Sequence, residues 1–255
     1  MTVDHPSMNP LEVDSAAVVS RRLKSIFGGS IGNLIEWYDF YVYNSFAIYF
    51  AKSFSSSIDP TVQLITTFGI YAVGFFIRPV GGMILGYYAD RAGRRAALTL
   101  SVMLMCAGSA LIAVLPTYAS VGIWAPILLL MARLLQGLSL GGEYASSATY
   151  LSEVAGATHR GFYSSFQYVT LIGGQVVAAL VLLVMQQSFT GAELEAWAWR
   201  IPFGIGALGA LYGLYLRRNL AETDDWKRAQ KEPRGNLFRE LLKHPRELLL
   251  VFGLT

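Results

Sequence analysis

Apolar runs of roughly 20 residues or more, separated by short clusters of charge, recur along the whole chain. A helix rises about 1.5 Å per residue, so each run is long enough to cross a hydrocarbon core of ~30 Å. Several such runs leave a chain few options other than to pass repeatedly through a membrane. Composition agrees: 54% of the 255 residues are hydrophobic, only 15% are charged, and the mean hydropathy is +0.44. Setting the runs against the polar breaks predicts helices over 26–50, 62–88, 96–115, 123–151, 162–186 and 199–216. The expected layout is a cytoplasmic tail over 1–22, a six-helix bundle over 23–216, a charged cytoplasmic linker over 217–247, and the start of a seventh span over 248–255. The tail carries Asp4, Glu12 and Asp14 and lacks the basic start and short apolar core of a cleavable signal peptide.

Charge placement orients the bundle. Arg21, Arg22 and Lys24, then Arg91, Arg94 and Arg95, then Arg160, then nine bases from Arg217 to Arg246 all fall on one side, sixteen of the 20 basic residues. Among the opposite loops only Lys52 is basic, with Arg200 opening the sixth span. By the positive-inside rule the amino terminus is cytoplasmic. The net charge of +3 comes from these loops and forms no folded basic face, which argues against nucleic acid as a partner. Cys106 is the single cysteine, so no disulfide framework exists, and no residue pattern calls for a metal or another cofactor.

Five ionisable residues fall inside the predicted spans: Glu36 and Asp39 in the first, Arg78 in the second, Arg133 and Glu143 in the fourth. Each costs roughly 2.5–3.5 kcal/mol near a bilayer centre, so each is expected to face the bundle interior or a wet cavity. Glu36, Asp39 and Tyr43 follow a spacing of three then four, which gathers them on one helix face. Interhelical ion pairs that only hold the bundle together are one reading of the set. The other is a moving cavity, favoured by opposite charges on three helices beside glycine-rich segments that let helices approach. On that reading Glu36, Asp39 and Glu143 couple protons, with Arg133 as their electrostatic governor. Arg133 and Glu143 are ten residues apart, about 15 Å of rise, so they cannot pair directly. Arg78 lies deep in its span, with Tyr71 and Gly74 on the same face, and its planar fork suits a substrate carboxylate. Arg200 is a weaker candidate for a second carboxylate, or else an interfacial anchor beside Trp197 and Trp199. Pro79 removes a backbone hydrogen bond within the second span and is expected to bend it.

The turn between the second and third spans reads Gly86-Tyr87-Tyr88-Ala89-Asp90-Arg91-Ala92-Gly93-Arg94-Arg95. It resembles, at every defining position, the cytoplasmic signature of the major facilitator superfamily. Arg133-Leu134-Leu135-Gln136-Gly137 with Gly141-Gly142-Glu143 is similar to that superfamily's fourth-helix motif, and Gly32-Asn33-Leu34-Ile35-Glu36-Trp37-Tyr38-Asp39-Phe40-Tyr41 resembles the first helix of its metabolite:proton symporter family. The run from Gly161 to Gln175, Arg78-Pro79-Val80-Gly81-Gly82 and Trp199-Arg200-Ile201-Pro202-Phe203 look like dicarboxylate-carrying members of that family.

The resemblance implies an all-α membrane protein, the six-transmembrane-helix N-terminal half of a twelve-helix major facilitator fold in a bacterial inner membrane. It implies proton-coupled symport of a small dicarboxylate such as α-ketoglutarate between two halves, the carboxy-terminal one lying outside this chain. Related carriers of proline, betaine, citrate or shikimate give the alternative substrates. Substrate contacts are then expected from Arg78, Arg200, Tyr43, Tyr71, Gln167 and Gln175, and a conformational gate from Gly86, Asp90, Arg91, Gly93, Arg94 and Arg95. An enzyme is not expected: there is no HExxH cluster, and His5, His159 and His244 all fall in predicted cytoplasmic segments.

Overall fold

The computed structural model describes residues 16–154 and 160–217. Most of the amino-terminal tail, the linker beyond residue 217, the start of a seventh span, and His5, His159 and His244 lie outside them. The described chain is helical throughout: α1 (Ala16–Phe50), α2 (Pro60–Phe76), α3 (Arg78–Ala92), α4 (Arg94–Val114), α5 (Tyr118–Val121), α6 (Trp124–Val154), α7 (Arg160–Ser188), α8 (Gly191–Glu193) and α9 (Arg200–Arg217). Each of the six stretches predicted to be helical is covered by helix. The first begins earlier than expected, at Ala16, because its arginines and lysine are good helix formers that need not enter the membrane.

The second span is two helices, not one. Pro79 has no N–H to donate, and the ladder is interrupted at Ile77, where α2 passes into α3. Its start is set by Asp59, whose carboxylate accepts from the Thr61 N–H at 2.8 Å, with Pro60 at the first helical position. A second capping arrangement opens α8, where Thr190 and Glu193 bond reciprocally. Hydrogen bonds from the Thr190 backbone and hydroxyl hold the Glu193 carboxyl below its usual range. At the other end, Gly93 takes φ 110°, a conformation costly for residues with a Cβ, and this makes the abrupt turn from α3 into α4.

By length and composition, four stretches can cross a membrane: Pro60–Ala92, Arg94–Val114, Trp124–Glu143 and Ser164–Ser188. The other two, α1 and α9, are helices whose apolar character is diluted by Glu36 and Asp39 and by the flanking Arg200 and Arg217. α1 packs on α7 and α9, α4 on α6 and α9, and the α2–α3 pair on α6. Backbones touch where α3 crosses α6: a Cβ on Gly141 would collide with the Arg78 backbone, so only glycine allows that approach. Large apolar side chains such as Ile172, Val176, Leu183 and Val184 point outward along α7, as in a protein whose surroundings are not water.

The interior is divided. Toward the end where α1 meets α2 it is aromatic, with Tyr43, Phe46, Phe50, Phe54, Trp199 and Phe203 fully or nearly fully buried. Toward the other end it is polar, holding Glu36, Asp39, Ser101, Ser109, Arg133, Gln136, Ser139, Glu143 and Arg217 out of solvent. A bundle of this kind holds its charge inside and its hydrocarbon outside.

Candidate functional site in the charged interior

The spacing of three then four on α1 does turn Glu36, Asp39 and Tyr43 to one inward face, and all three are fully buried. Asp39 is the most extensively tied. Ser109 on α4 donates to its Oδ1 at 2.8 Å, Gln136 on α6 donates to its Oδ2, and Arg133 Nη1 stands 3.9 Å from Oδ2. The Gln136 side chain is the bridge: its amide donates to Asp39 and also to Ser109 at 3.1 Å, while its carbonyl accepts from Arg133 Nη1. A Cβ on Gly206 of α9 would lie 2.7 Å from Asp39 Oδ1, so α9 closes the fourth side.

Arg133 is held by ring faces. Its guanidinium carbon sits 3.6 Å from the Tyr43 centroid and 5.2 Å from that of Tyr71, and the two rings stack at 5.3 Å with 17° between planes. Tyr43 is fixed in turn by donating its hydroxyl to the Thr67 carbonyl at 3.0 Å. Arg78 has a similar setting. Its guanidinium carbon is 3.8 Å from Phe75, 4.7 Å from Phe40 and 5.8 Å from Trp37. The three rings supply an apolar and quadrupolar cradle but no counter-charge. Among the described residues Arg78 has no ion pair, so the pairing with Glu36 or Asp39 that would make it purely structural is not formed.

Arg78, Arg133, Tyr71, Gln136, Glu36 and Leu140 share one cavity. The space it encloses is small, about 10 Å³ for water centres, roughly the room one water needs. A multi-carbon ligand therefore has to sit at the mouth of this space, or the helices have to part.

Glu143 belongs to a separate cluster. Arg217, at the end of α9, donates through Nη1 and Nη2 to the two oxygens of Glu143 and through Nη1 to the Leu98 carbonyl. Both side chains are fully buried. Ser101 on α4 donates to Glu143 Oε2, and its own carbonyl accepts from Ser139, which also donates to Glu36 Oε1. The sequence counts Arg217 among the cytoplasmic loop bases, and this is corrected: it is an interior cation. Nothing local marks it, since Arg217 and Arg218 read alike as flanking bases until α9 is packed on α4. Arg133 and Glu143 are indeed unpaired with each other, each having its own partner.

The remaining expected site residues separate. Tyr43 and Tyr71 contact Arg133 as above. Gln167 is buried and fully used in holding helices together, exchanging hydrogen bonds with Asn33 on α1 and accepting from Ser147 at 3.0 Å. Gln175 faces outward from α7, away from the cavity. Arg200 donates to the Leu115 carbonyl at 3.0 Å, lies over Trp199 at 4.2 Å and is not part of the cavity wall. At the α3–α4 turn, Arg94 donates to Asp90 at 2.6 Å, Arg91 lies 4.2 Å over Tyr87, and the half-buried Gly86 and exposed Arg95 complete the signature. Phe40, Phe75 and Trp37 around Arg78, and Gln136 between Asp39 and Arg133, are participants the sequence reading did not single out. Phe75, one helical turn before Arg78, was the available signal.

Three comparisons bear on this arrangement. The family described as sugar (and other) transporter matches residues 26–236. The chain is 51% identical over 235 residues to the alpha-ketoglutarate permease of Escherichia coli, covering 92% of this chain and 54% of that protein. It is 39% identical over 211 residues to a putative proline/betaine transporter of Staphylococcus haemolyticus, covering 82% of this chain and 45% of that protein. The chain thus spans about half the length of these curated relatives. Its fold is that of about half of the xylose transporter XylE from E. coli in a partially occluded inward open conformation, with a TM-score of 0.73 and 21% identity over 83% of this chain and 51% of that one.

Proposed function

The chain belongs to the sugar (and other) transporter family of the major facilitator superfamily, and from that premise we propose that it is the amino-terminal half of a proton-coupled symporter for a small dicarboxylate of the α-ketoglutarate type. Membership makes it a multi-pass membrane transporter rather than an enzyme. The observation that carries the finer reading is Arg78: a cation inside the bundle, cradled by three rings, beside a cavity, and with no ion pair among the described residues. An anionic substrate answers that charge. The relative named alpha-ketoglutarate permease supports the choice of acid. A proline or betaine carrier, as another relative is named, is disfavoured by the same site. The rings that could surround a quaternary ammonium are already occupied by the Arg78 guanidinium.

Coupling is assigned to Asp39. Its carboxylate reaches Arg133 directly at 3.9 Å and through Gln136, so a shift of α6 against α1 alters how firmly it holds a proton. Glu36 and Glu143 are reserve candidates. Access would alternate by rocking of this half against a second six-helix half. In proteoliposomes holding the two-half protein, an imposed proton gradient without ATP should drive accumulation of labelled α-ketoglutarate, and unlabelled proline or betaine should not compete. Asp39→Asn should abolish accumulation while leaving α-ketoglutarate exchange. Full accumulation by Asp39→Asn would remove Asp39 from the coupling step.

The α3–α4 turn is assigned to the cytoplasmic gate, in an inner membrane with the amino terminus inside. Its Asp90–Arg94 pair spans the turn rather than the cavity. A reporter fused at residue 92 should be read on the cytoplasmic side, and Asp90→Asn should lower transport velocity while affinity stays similar. An external reading, or a selective loss of affinity, would overturn the assignment.

A further inference from the structure

Two arginines reach the same cavity, and in each the same two donors are left without an acceptor. Arg78 Nε and Nη2 are buried and find no hydrogen-bond partner among the described residues, and neither do Arg133 Nε and Nη2. These are the two adjacent nitrogens along one edge of a guanidinium, the edge that grips a carboxylate side-on with two parallel hydrogen bonds. Burying such donors unanswered is costly, the more so where the group is charged. Buried polar groups left unsatisfied call for an explanation, and two side-on forks on one cavity, which also holds the unanswered Glu36 Oε2, are explained by a ligand with acceptors to offer. The remaining edge of Arg133 is engaged, with Nη1 donating to Gln136 and facing Asp39.

The two forks line one cavity, and each lies against aromatic rings. Arg133 lies against Tyr43 and Tyr71, and Arg78 against Phe75 and Phe40. Phe40 and Tyr71 are themselves in contact, with centroids 4.6 Å apart, so one aromatic layer links the two cations. Stacked guanidiniums have their planes fixed, and fixing the plane fixes where a carboxylate must lie. By contrast, Arg200 spends its Nη2 on the Leu115 carbonyl and is absent from the cavity wall.

We propose that Arg133, not Arg200, holds the second carboxylate of the substrate, so that a diacid is clamped between the side-on edges of Arg78 and Arg133. This deepens the transport reading above and rests on it. One residue then serves both ligands: one edge of Arg133 takes the substrate anion, and the other, through Gln136, faces the coupling carboxylate Asp39. A monoacid fills one fork and leaves the other unanswered, so the site selects by the number of carboxylates.

The test measures equilibrium binding to the purified two-half protein of α-ketoglutarate and of 2-oxopentanoate, which has the same carbon chain but one carboxylate. The wild type should prefer the diacid by roughly 10- to 100-fold, the range expected for hydrogen bonds between charged groups. Arg133→Lys, which keeps the charge and loses the fork, should bring the two affinities to within about threefold. Arg200→Lys, a change outside the cavity wall, should keep the wild-type preference. A merely structural role for Arg133 would shift both affinities together and leave their ratio alone. Equal binding of diacid and monoacid by the wild type overturns the clamp without any variant and leaves Arg78 as a single carboxylate site. A retained preference in Arg133→Lys, or a lost one in Arg200→Lys, also overturns it. Failure of the wild type to bind either acid would overturn the transport reading itself, and the clamp with it.

Discussion

Arg78→Lys should weaken binding of the dicarboxylate by about 10- to 100-fold, and Arg78→Ala by more, with membrane insertion and yield close to wild type. The magnitude follows from losing a side-on pair of charge-assisted hydrogen bonds, each with a net value of about 1.5–3 kcal/mol, partly replaced by one from the lysine ammonium. Lysine also forfeits the flat contact on Phe75, where the guanidinium carbon now stands 3.8 Å from the ring centre. The fold should tolerate Arg78→Lys, since Arg78 has no ion pair among the described residues and the lysine keeps a cation beside the buried Glu36 of the same cavity. Binding titrations on purified variants give the answer. Unaltered affinity in both would mean that the substrate carboxylate is held elsewhere.

The largest stability effect is expected at the other buried cluster. Arg217→Met removes the cation that satisfies both oxygens of Glu143 and the Leu98 carbonyl, all out of solvent. Breaking one side of a buried pair leaves an uncompensated charge and costs about 3–5 kcal/mol, whereas replacing both sides by apolar groups of similar volume is often neutral or stabilising. So Arg217→Met and Glu143→Leu should each lower the thermal midpoint in detergent sharply, and the double variant should recover most of the loss. Two single variants that each cost about 1 kcal/mol or less would show that water reaches the pair, as at a surface bridge. Ser101 should not limit that recovery, since its hydroxyl can still donate to the Leu98 carbonyl at 2.9 Å when Glu143 is replaced.

These two predictions concern arginines that the sequence treats very differently. Arg78 is conspicuous because a charge in the middle of an apolar run is costly, and its depth follows from counting residues along the helix. Arg217 is inconspicuous because it stands at the boundary of a run, where bases are ordinary. Its partner is 74 positions away in the chain, and no local pattern names it.

The same division holds across the molecule. Helix positions, the turn at Gly93, the break before Pro79 and the shared inward face of Glu36, Asp39 and Tyr43 all come from interactions within a few residues: run length, backbone freedom and helical period. Those are legible without a fold. Which helix each inward face meets is a different matter, because it depends on how closely backbones can cross, as where Gly141 admits the Arg78 backbone. Only that packing gave Gln136 its place between Asp39 and Arg133, turned Arg200 to the Leu115 carbonyl, used up Gln167 against Asn33 and left Gln175 facing outward. Helical periodicity fixes which side chains share a face, and tertiary packing alone decides what that face touches.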